Sequence, residues 1–411
     1  MSTSAPTTYY YVRPTDSLFV RGNLAFGDSG EHGTGLMPPP PSLFAGAFRS
    51  ALLGRDAAQL AAFVDGGRCT NPALAQCLGT PTAPGDFRIT WLSLAGEPKA
   101  NANAGAVVGT APEPISPLPA DLLMLGKNFA TLQPRAVAAG VQSAGELPLH
   151  ATLISSKQEK PTGGMYLNAK GLDLHLQGQK LEQAHGLPSS HLYQRDPRLG
   201  IGLNADARTA EEGQIYTTEG YAFSPSPSEG KSHGTAHPQF ASTGFLVGIQ
   251  GAGDLLPKEG VLRLGGDGRS AHYRQVAFTP PQLPDSIATQ KRFRLILQTP
   301  AIFGQGWLPE GVTQQKNSSY RLSGKGYSAV FVCAALGRRD VVSGWDLHQW
   351  IPKPAQAAAP AGSVYWFEQF EGDAGKLAAW VDSGLWSDTL DTNQAIRRAE
   401  GYNRALLGAW N

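Results

Sequence analysis

The 411-residue sequence predicts an α+β fold in two parts. Three observations carry this. Short runs of aromatic and β-branched residues recur along the whole chain, whereas apolar residues at helical spacing are confined to residues 42–52 and 375–381. Three prolines, Pro280, Pro281 and Pro284, cluster where a boundary between 1–285 and 286–411 would fall. On either side of it the order of elements is the same: strand, loop, helix, strands.

In the first part, residues 9–12 form a Tyr/Val strand, and a glycine-rich connection over 22–35 follows. Pro38 to Pro41 stiffen the entry to a helix that Ser42 can cap, with Leu43, Phe44, Ala47, Phe48, Ala51 and Leu52 on its buried face. Alternation over 87–94 gives the next strand, and the proline-rich stretch 96–120 reads as a surface excursion. Between 155 and 250, short strands are expected at 166–167, 172–176, 215–218 and 245–249, with disorder near residues 224–228. In the second part, 293–297, 329–336, 341–346 and 364–367 are strand candidates, 375–381 suits a helix, and 400–408 is punctuated by glycine.

Composition excludes several classes. Charged residues make up 16% of the chain, below the roughly 25% of ordinary soluble proteins, and Gly and Pro contribute 49 and 31 residues, so a full core carries many loops. No apolar run approaches the ~18 residues of a membrane span, and the N-terminal residues lack the basic and apolar regions of a secretory signal, so a soluble protein is expected. The three cysteines, Cys69, Cys77 and Cys333, fit a reducing cytoplasm better than a disulfide framework. Net charge is +1, so any nucleic-acid footprint must be local, but Arg outnumbers Lys 21 to 13, and Arg supplies the planar fork suited to phosphate.

Catalytic patterns fail on their partners. Gly27-Asp28-Ser29-Gly30 resembles the nucleophile block of GDSL-type esterases and the core of trypsin-like proteases. The first needs an Asp-x-x-His near the C-terminus, but the last histidine is His348, in Asp346-Leu347-His348. The second needs a histidine upstream of the serine, and none precedes Ser29. His233 and His237 lie among Gly234, Pro238 and serines that cannot hold one helical face, and Cys69 and Cys77 lack a second pair. Gly163-Gly164 and Gly265-Gly266 are not followed by Lys-Ser/Thr, so neither a phosphate-binding NTPase loop nor any cofactor or metal site is indicated. What remains is a basic stretch over 257–298 with an excess of four positive charges. In it Arg263 and Arg269 flank Gly265-Gly266-Asp267-Gly268, where a nucleic-acid backbone could approach closely.

The blocks Arg13-Pro14-Thr15-Asp16-Ser17-Leu18-Phe19-Val20-Arg21-Gly22 and Met37 through Leu52 resemble the N-terminal signature of one family. Further blocks follow in the family's order: Arg198-Leu199-Gly200-Ile201 with residues 209–216, Leu264-Gly265-Gly266-Asp267, and Thr299-Pro300-Ala301-Ile302-Phe303 with Gly306-Trp307-Leu308-Pro309. Ser343-Gly344-Trp345-Asp346-Leu347 and residues 353–365 complete it. It is the RAMP-type subunit at the crRNA 5′ end of type III-B (Cmr) CRISPR effector complexes. Gly268 departs from the pattern, since the family often carries a charged residue there.

The resemblance implies two ferredoxin-like (RRM-like) domains with large insertions, and a β-hairpin thumb, within about 155–245, that wedges into the guide–target RNA duplex. It implies a non-catalytic subunit that grips the crRNA 5′ handle and joins the large polymerase-like subunit to the backbone filament. Expected handle contacts are Arg13, Arg21, Ser42, Arg49, Arg263 and Arg269, with Arg195 and Arg198 flanking the thumb; Trp345 is expected in the core. About five neutralised phosphates would give a slope of log K against log salt near −3.5. The rival readings are a metal-independent crRNA-processing endonuclease of the same superfamily, with His32 as general base on a ribose 2′-OH, and a plain protein–protein adaptor.

Overall fold

The computed structural model describes residues 6–20, 32–33, 35–99, 111–137, 140, 145–155, 159–204, 206–223, 240–316, 318–346, 349 and 351–411. Strands dominate. The first part opens with β1 (Thr7–Pro14), α1 (Pro41–Leu53), α2 (Ala57–Gly66), α3 (Pro72–Leu78) and β2 (Arg88–Pro98). It continues with β3 (Glu113–Pro117), β4 (Met165–Leu167), α4 (Ala169–Leu176), β5 (Gly186–Pro188) and the long hairpin β6 (Gln194–Asn204) and β7 (Thr209–Ala222), then β8 (Phe240–Gln250), β9 (Glu259–Arg263) and β10 (Ser270–Val276). Eight of these strands form one antiparallel sheet in the order β5-β4-β3-β2-β8-β1-β10-β9.

The second part runs α5 (Ser286–Gln290), β11 (Phe293–Leu297), β12 (Val312–Gln314), β13 (Tyr320–Gly324), β14 (Tyr327–Ala335), β15 (Val364–Gly372), α6 (Ala374–Asp382), α7 (Thr392–Glu400) and β16 (Ala405–Ala409). Its six-stranded sheet has the order β12-β13-β14-β15-β11-β16.

Side-chain alternation decides which face meets which helix. Tyr10 and Val12 of β1 pack with Phe245, Val247 and Ile249 of β8 against Phe44 and Phe48 of α1, all essentially inaccessible. Burying each Phe contributes roughly 1.5–3 kcal/mol. Tyr11, Trp91 and Leu246 turn to the other face, where Leu406 of β16 meets them. In the second part α6 covers one face through Leu377 and Val381. The opposite face is covered by α4 of the first part, whose Leu172 and Leu176 pack on Ile296, Val332, Val364 and Trp366.

A buried charge cluster pins this contact. Arg294 of β11 pairs with Asp121, donates to the His175 carbonyl of α4 at 2.6 Å, and donates to the Ala409 carbonyl at 2.8 Å. The His175 Nε2 lies 3.1 Å from Asp121.

Several expectations are corrected. Residues 172–176 are helical, because Asn168 caps the Gly171 N–H and turns the leucines onto one helix face. The stretch 113–117 is an inner strand with Ile115 fully buried, so part of the supposed surface excursion belongs to the sheet. Residues 341–346 are broken at Gly344, whose φ of +139° interrupts the extended run. Ser42 does not cap α1: Pro40 holds the N-cap position with Pro41 at the first turn, where a fixed φ fits and no N–H is needed. The region expected to be disordered, 224–228, lies outside the described residues.

Candidate nucleic-acid interface

A cavity of about 520 Å³ opens between the two parts. One wall is α1, presenting Ser42, Gly46 and Arg49; the others are Gly265-Gly266, Trp345, and the pair Lys353 and Glu400. Ser42 at the second helical position is free of capping, and its hydroxyl lies 3.1 Å from the Tyr402 hydroxyl after α7. Arg49 donates to the Leu78 carbonyl at 3.1 Å and so ties α1 to α3. Burial lowers its pKa, while the Glu400 charge acts the other way. Glu400 accepts from Lys353 at 2.7 Å and from Arg397 at 3.0 Å. The charged residues lining the cavity are therefore balanced, Arg49 and Lys353 against Asp346 and Glu400. Trp345 is 49% exposed, which corrects its expected place in the core: it stands in a two-residue ladder with Ile351-Pro352, too short to have an inner face.

The Gly-Gly loop owes its shape to its backbone. Gly265 has φ +85°, and a Cβ there would fall 2.5 Å from the Phe19 carbonyl oxygen. That close approach lets the Gly266 N–H donate to the same oxygen at 2.8 Å. Gly268, where the family pattern has a charged residue, has φ +65° and open space around it. The loop therefore docks onto residues 15–20, and these in turn pair with the base of the hairpin through reciprocal Leu18–Tyr221 bonds of 2.8 and 3.0 Å.

Over Phe19 two predicted arginines meet. Arg269 lies 5.2 Å and Arg198 5.5 Å from the ring centroid. Asp16 joins them, pairing with Arg269 and lying 3.5 Å from Arg198, while Asp196 holds Arg198 at 2.8 Å. The Ser17 hydroxyl and Arg198 hold the Asp196 pKa below the usual carboxylate range.

The remaining predicted residues are dispersed. Arg263 ends β9 on the exposed side, close in sequence to the loop. Arg195 is 75% exposed and 3.6 Å from Glu219 across the hairpin. Arg13 is on the opposite face of the first sheet from α1. There it lines a second cavity with Glu97, Glu259, His272 and Arg274, so it does not join the others. Arg21, Ser29, His233, His237 and the side chain of His32 lie outside the described residues. Sequence reasoning missed Phe19, Lys353, Arg397 and Glu400 as site residues: nothing in their spacing signals a wall assembled from opposite ends of the chain.

The hairpin β6–β7 extends about 35 Å. Leu199 at 70% and Ile201 at 50% exposure share a face with Ile215, and Leu203 follows beyond a bulge.

The profile of the family described as CRISPR-associated protein (Cas_Cmr3) matches residues 10–410. The chain belongs to this family. Similar solved structures include a chain of the type III-B Cmr-β complex bound to cognate target RNA and AMPPnP, at 14% identity and a TM-score of 0.47, covering 97% of this chain and 96% of that one. A chain of the same complex bound to cognate target RNA alone is similar at 13% identity, a TM-score of 0.47 and the same coverage. No curated protein matches. Within the Cas_Cmr3 chain, no group of three or more His, Cys, Asp or Glu residues among the described residues could hold a metal ion. No helix among them is long and apolar enough to cross a membrane. Cys77 and Cys333 are buried thiols whose pKa burial pushes up to about 11 and about 12, the reverse of an activated nucleophile.

Proposed function

We propose that this chain is a non-catalytic, cytoplasmic subunit of a type III-B CRISPR ribonucleoprotein, holding the crRNA 5′ handle and joining the large polymerase-like subunit to the backbone filament. The observation that carries the reading is the cavity at the junction of the two parts. It is nucleotide-sized, with Trp345 exposed at its wall beside Gly265-Gly266 and the Lys353 and Arg49 cations. Unpaired ribonucleotides are held by this combination of stacking and phosphate contacts. Arg198, Arg263 and Arg269 continue the surface toward the hairpin. Its exposed aliphatic face suits the thumb role, packing on base faces at the end of a guide–target duplex.

The same reading treats 1–285 and 286–411 as two ferredoxin-like domains. Its support is strand order. β10-β1-β8-β2 and β16-β11-β15-β14 both follow the 4-1-3-2 arrangement of that fold. Among the described residues the first part has only a short 3-10 helix, Gly253–Leu255, between β8 and β9, and the second has no helix between β11 and β14.

Fluorescence anisotropy with handle RNA and a scrambled RNA of equal length tests the proposal. Trp345→Ala is expected to weaken handle binding about 5- to 150-fold, the value of one lost base stack. Equal affinity for both RNAs would favour a plain adaptor, and RNA cleavage lost in His32→Ala would favour the nuclease.

A further inference from the structure

β9 closes one end of the first sheet, and its backbone register shows which of its polar groups are unused. Just ahead of the strand the Gln275 N–H donates to the Lys258 carbonyl at 2.5 Å, and just after it the Leu264 N–H donates to the Arg269 carbonyl at 2.9 Å. Between these bonds the β9–β10 register runs without a shift, from Glu259 opposite Arg274 to Arg263 opposite Ser270. In an antiparallel ladder alternate residues bond the neighbouring strand. Lys258, Gly260, Leu262 and Leu264 therefore face β10, and the N–H and C=O groups of Glu259, Val261 and Arg263 point away from the sheet. No strand pairs with that side among the described residues.

The same three residues carry the exposed side chains of the strand. On the α1 side Leu262 is buried, and Tyr273 lies over Gly260, where a Cβ would be 2.8 Å from its hydroxyl. On the other face Glu259 and Val261, the latter 56% exposed, border the second cavity, and Arg263 continues the row. Neither Glu259 nor Arg263 has an ion pair within the described residues. The other sheet ends offer no such edge: β5 and β12 have three residues each, the first ending in Pro188, and β16 is buried along its length except for Leu406. An open edge with an exposed valine is a template for another strand. Charge selects which one. The added strand must set a cation opposite Glu259, an apolar residue opposite Val261 and an anion opposite Arg263. β9 read in the opposite direction meets all three requirements.

We propose that β9 pairs antiparallel with β9 of a second copy of this chain, about a two-fold axis at Val261. Glu259 of each copy then faces Arg263 of the other, and the two Val261 side chains face each other. All three residues turn their N–H and C=O outward, so each facing pair exchanges two backbone bonds in this one register. The contact is one strand wide, so the dimer is weak and forms as concentration rises. The inference does not rest on the handle reading. Arg263 also belongs to the proposed RNA surface, so the test reads self-association of the RNA-free chain.

Sedimentation velocity of the full chain over about 1–300 µM should show the mass rising from 43.5 kDa toward twice that value. Glu259→Arg alone, or Arg263→Glu alone, sets like charges opposite each other at two symmetric places and should raise the dissociation constant at least about fivefold. The two changes together restore opposite charges and should return it to within about twofold of wild type. Val261→Pro removes an N–H that β10 does not use, so it should abolish the dimer while moving the monomer's Tm by no more than about 3 °C. Should Val261→Pro fail to fold, the charge exchange carries the test. A chain that stays monomeric at every concentration would overturn the proposal, as would a dimer that survives Val261→Pro or a charge exchange that rescues nothing. Amide hydrogen exchange separates the other occupant. Protection of Glu259, Val261 and Arg263 only in the assembled ribonucleoprotein, with the free chain monomeric, would replace the second copy by a strand of another subunit.

Discussion

Asp121→Asn is expected to destabilise the protein by about 3–5 kcal/mol, the cost of stripping one partner from a buried ion pair. Asp121 is fully inaccessible and Arg294 is 4% exposed, so asparagine would keep the shape of the site and leave an uncompensated guanidinium. The His175 ring cannot replace the lost carboxylate, because imidazole carries no negative charge; burial lowers its pKa, Arg294 pushing the same way against Asp121. Burial also raises the Asp121 pKa, but His175 and Arg294 outweigh it and hold the carboxyl at about 2. Its unfolded value is near 3.9, so the stabilisation is complete above about pH 4 and is lost as pH falls from there toward 2, a swing of about 2.6 kcal/mol. His175, depressed below its ordinary value, adds a loss that begins as pH drops below about 6.5. Urea unfolding followed by tryptophan fluorescence at pH 7, pH 5 and pH 2 reads both effects, the His175 loss between the first two and the Asp121 loss below pH 4. If the whole chain of 411 residues melts as one unit, Tm falls by about 3–6 °C. If residues 286–411 melt alone, the fall is roughly three times larger. The double replacement Asp121→Leu with Arg294→Met should recover most of the loss. An Asp121→Asn protein within about 1 kcal/mol of wild type would refute the claim that this pair fastens α4 to the second sheet.

Asp16→Asn should tighten handle binding by about fivefold and steepen its salt slope by about 0.7, because a carboxylate that occupies the Arg269 and Arg198 forks competes with phosphate. Unchanged or weaker binding would remove Asp16 from that role. Gly265→Ala, with φ +85° and a Cβ 2.5 Å from a backbone oxygen, should cost about 2–3 kcal/mol in the urea midpoint and detach the loop from Phe19. Gly268→Ala, with φ +65° but open surroundings, should cost only about 1 kcal/mol.

What the sequence revealed of the fold followed the strength of its periodicity. The strands at 9–12, 245–249, 293–297 and 364–367 alternate between two packed faces, and α1 repeats Phe44, Phe48 and Leu52 at helical spacing, so both patterns survive folding. The strand at 87–94 forms, but a register shift beside Thr90 sends Trp91 to the face opposite Ile89 and brings Leu92 and Leu94 to the Ile89 face. In α4, Leu172, Leu174 and Leu176 mimic a strand, and the eight-residue helix is too short for its period to show; Asn168 as a cap was the better signal. α7 is polar along most of its length and was hidden for that reason. Its capping box, Asp391 with Gln394, and the left-handed Gly401 behind it mark both ends. The site was legible only as residue types. Arg198 and Arg269 meet over Phe19 because the hairpin base and the Gly-Gly loop both dock on residues 15–20, a tertiary fact that no local pattern encodes.

The two parts cannot be treated as separable binding modules. α4 of the first part caps a face of the second sheet that would otherwise expose Trp366 and Val332, and Leu406 of the second part lies on the Trp91 face of the first. The Ser42–Tyr402 contact crosses the same junction beside the cavity. A ligand seated in the cavity touches α1 from one part and Trp345, Lys353 and Glu400 from the other, so it binds only the docked arrangement. By linkage it must then stabilise that arrangement by RT ln(1 + [L]/Kd). On the proposed reading, a chain of net charge +1 needs no basic surface to hold RNA, because the contacts are few and local and the bound ligand strengthens the packing it bridges.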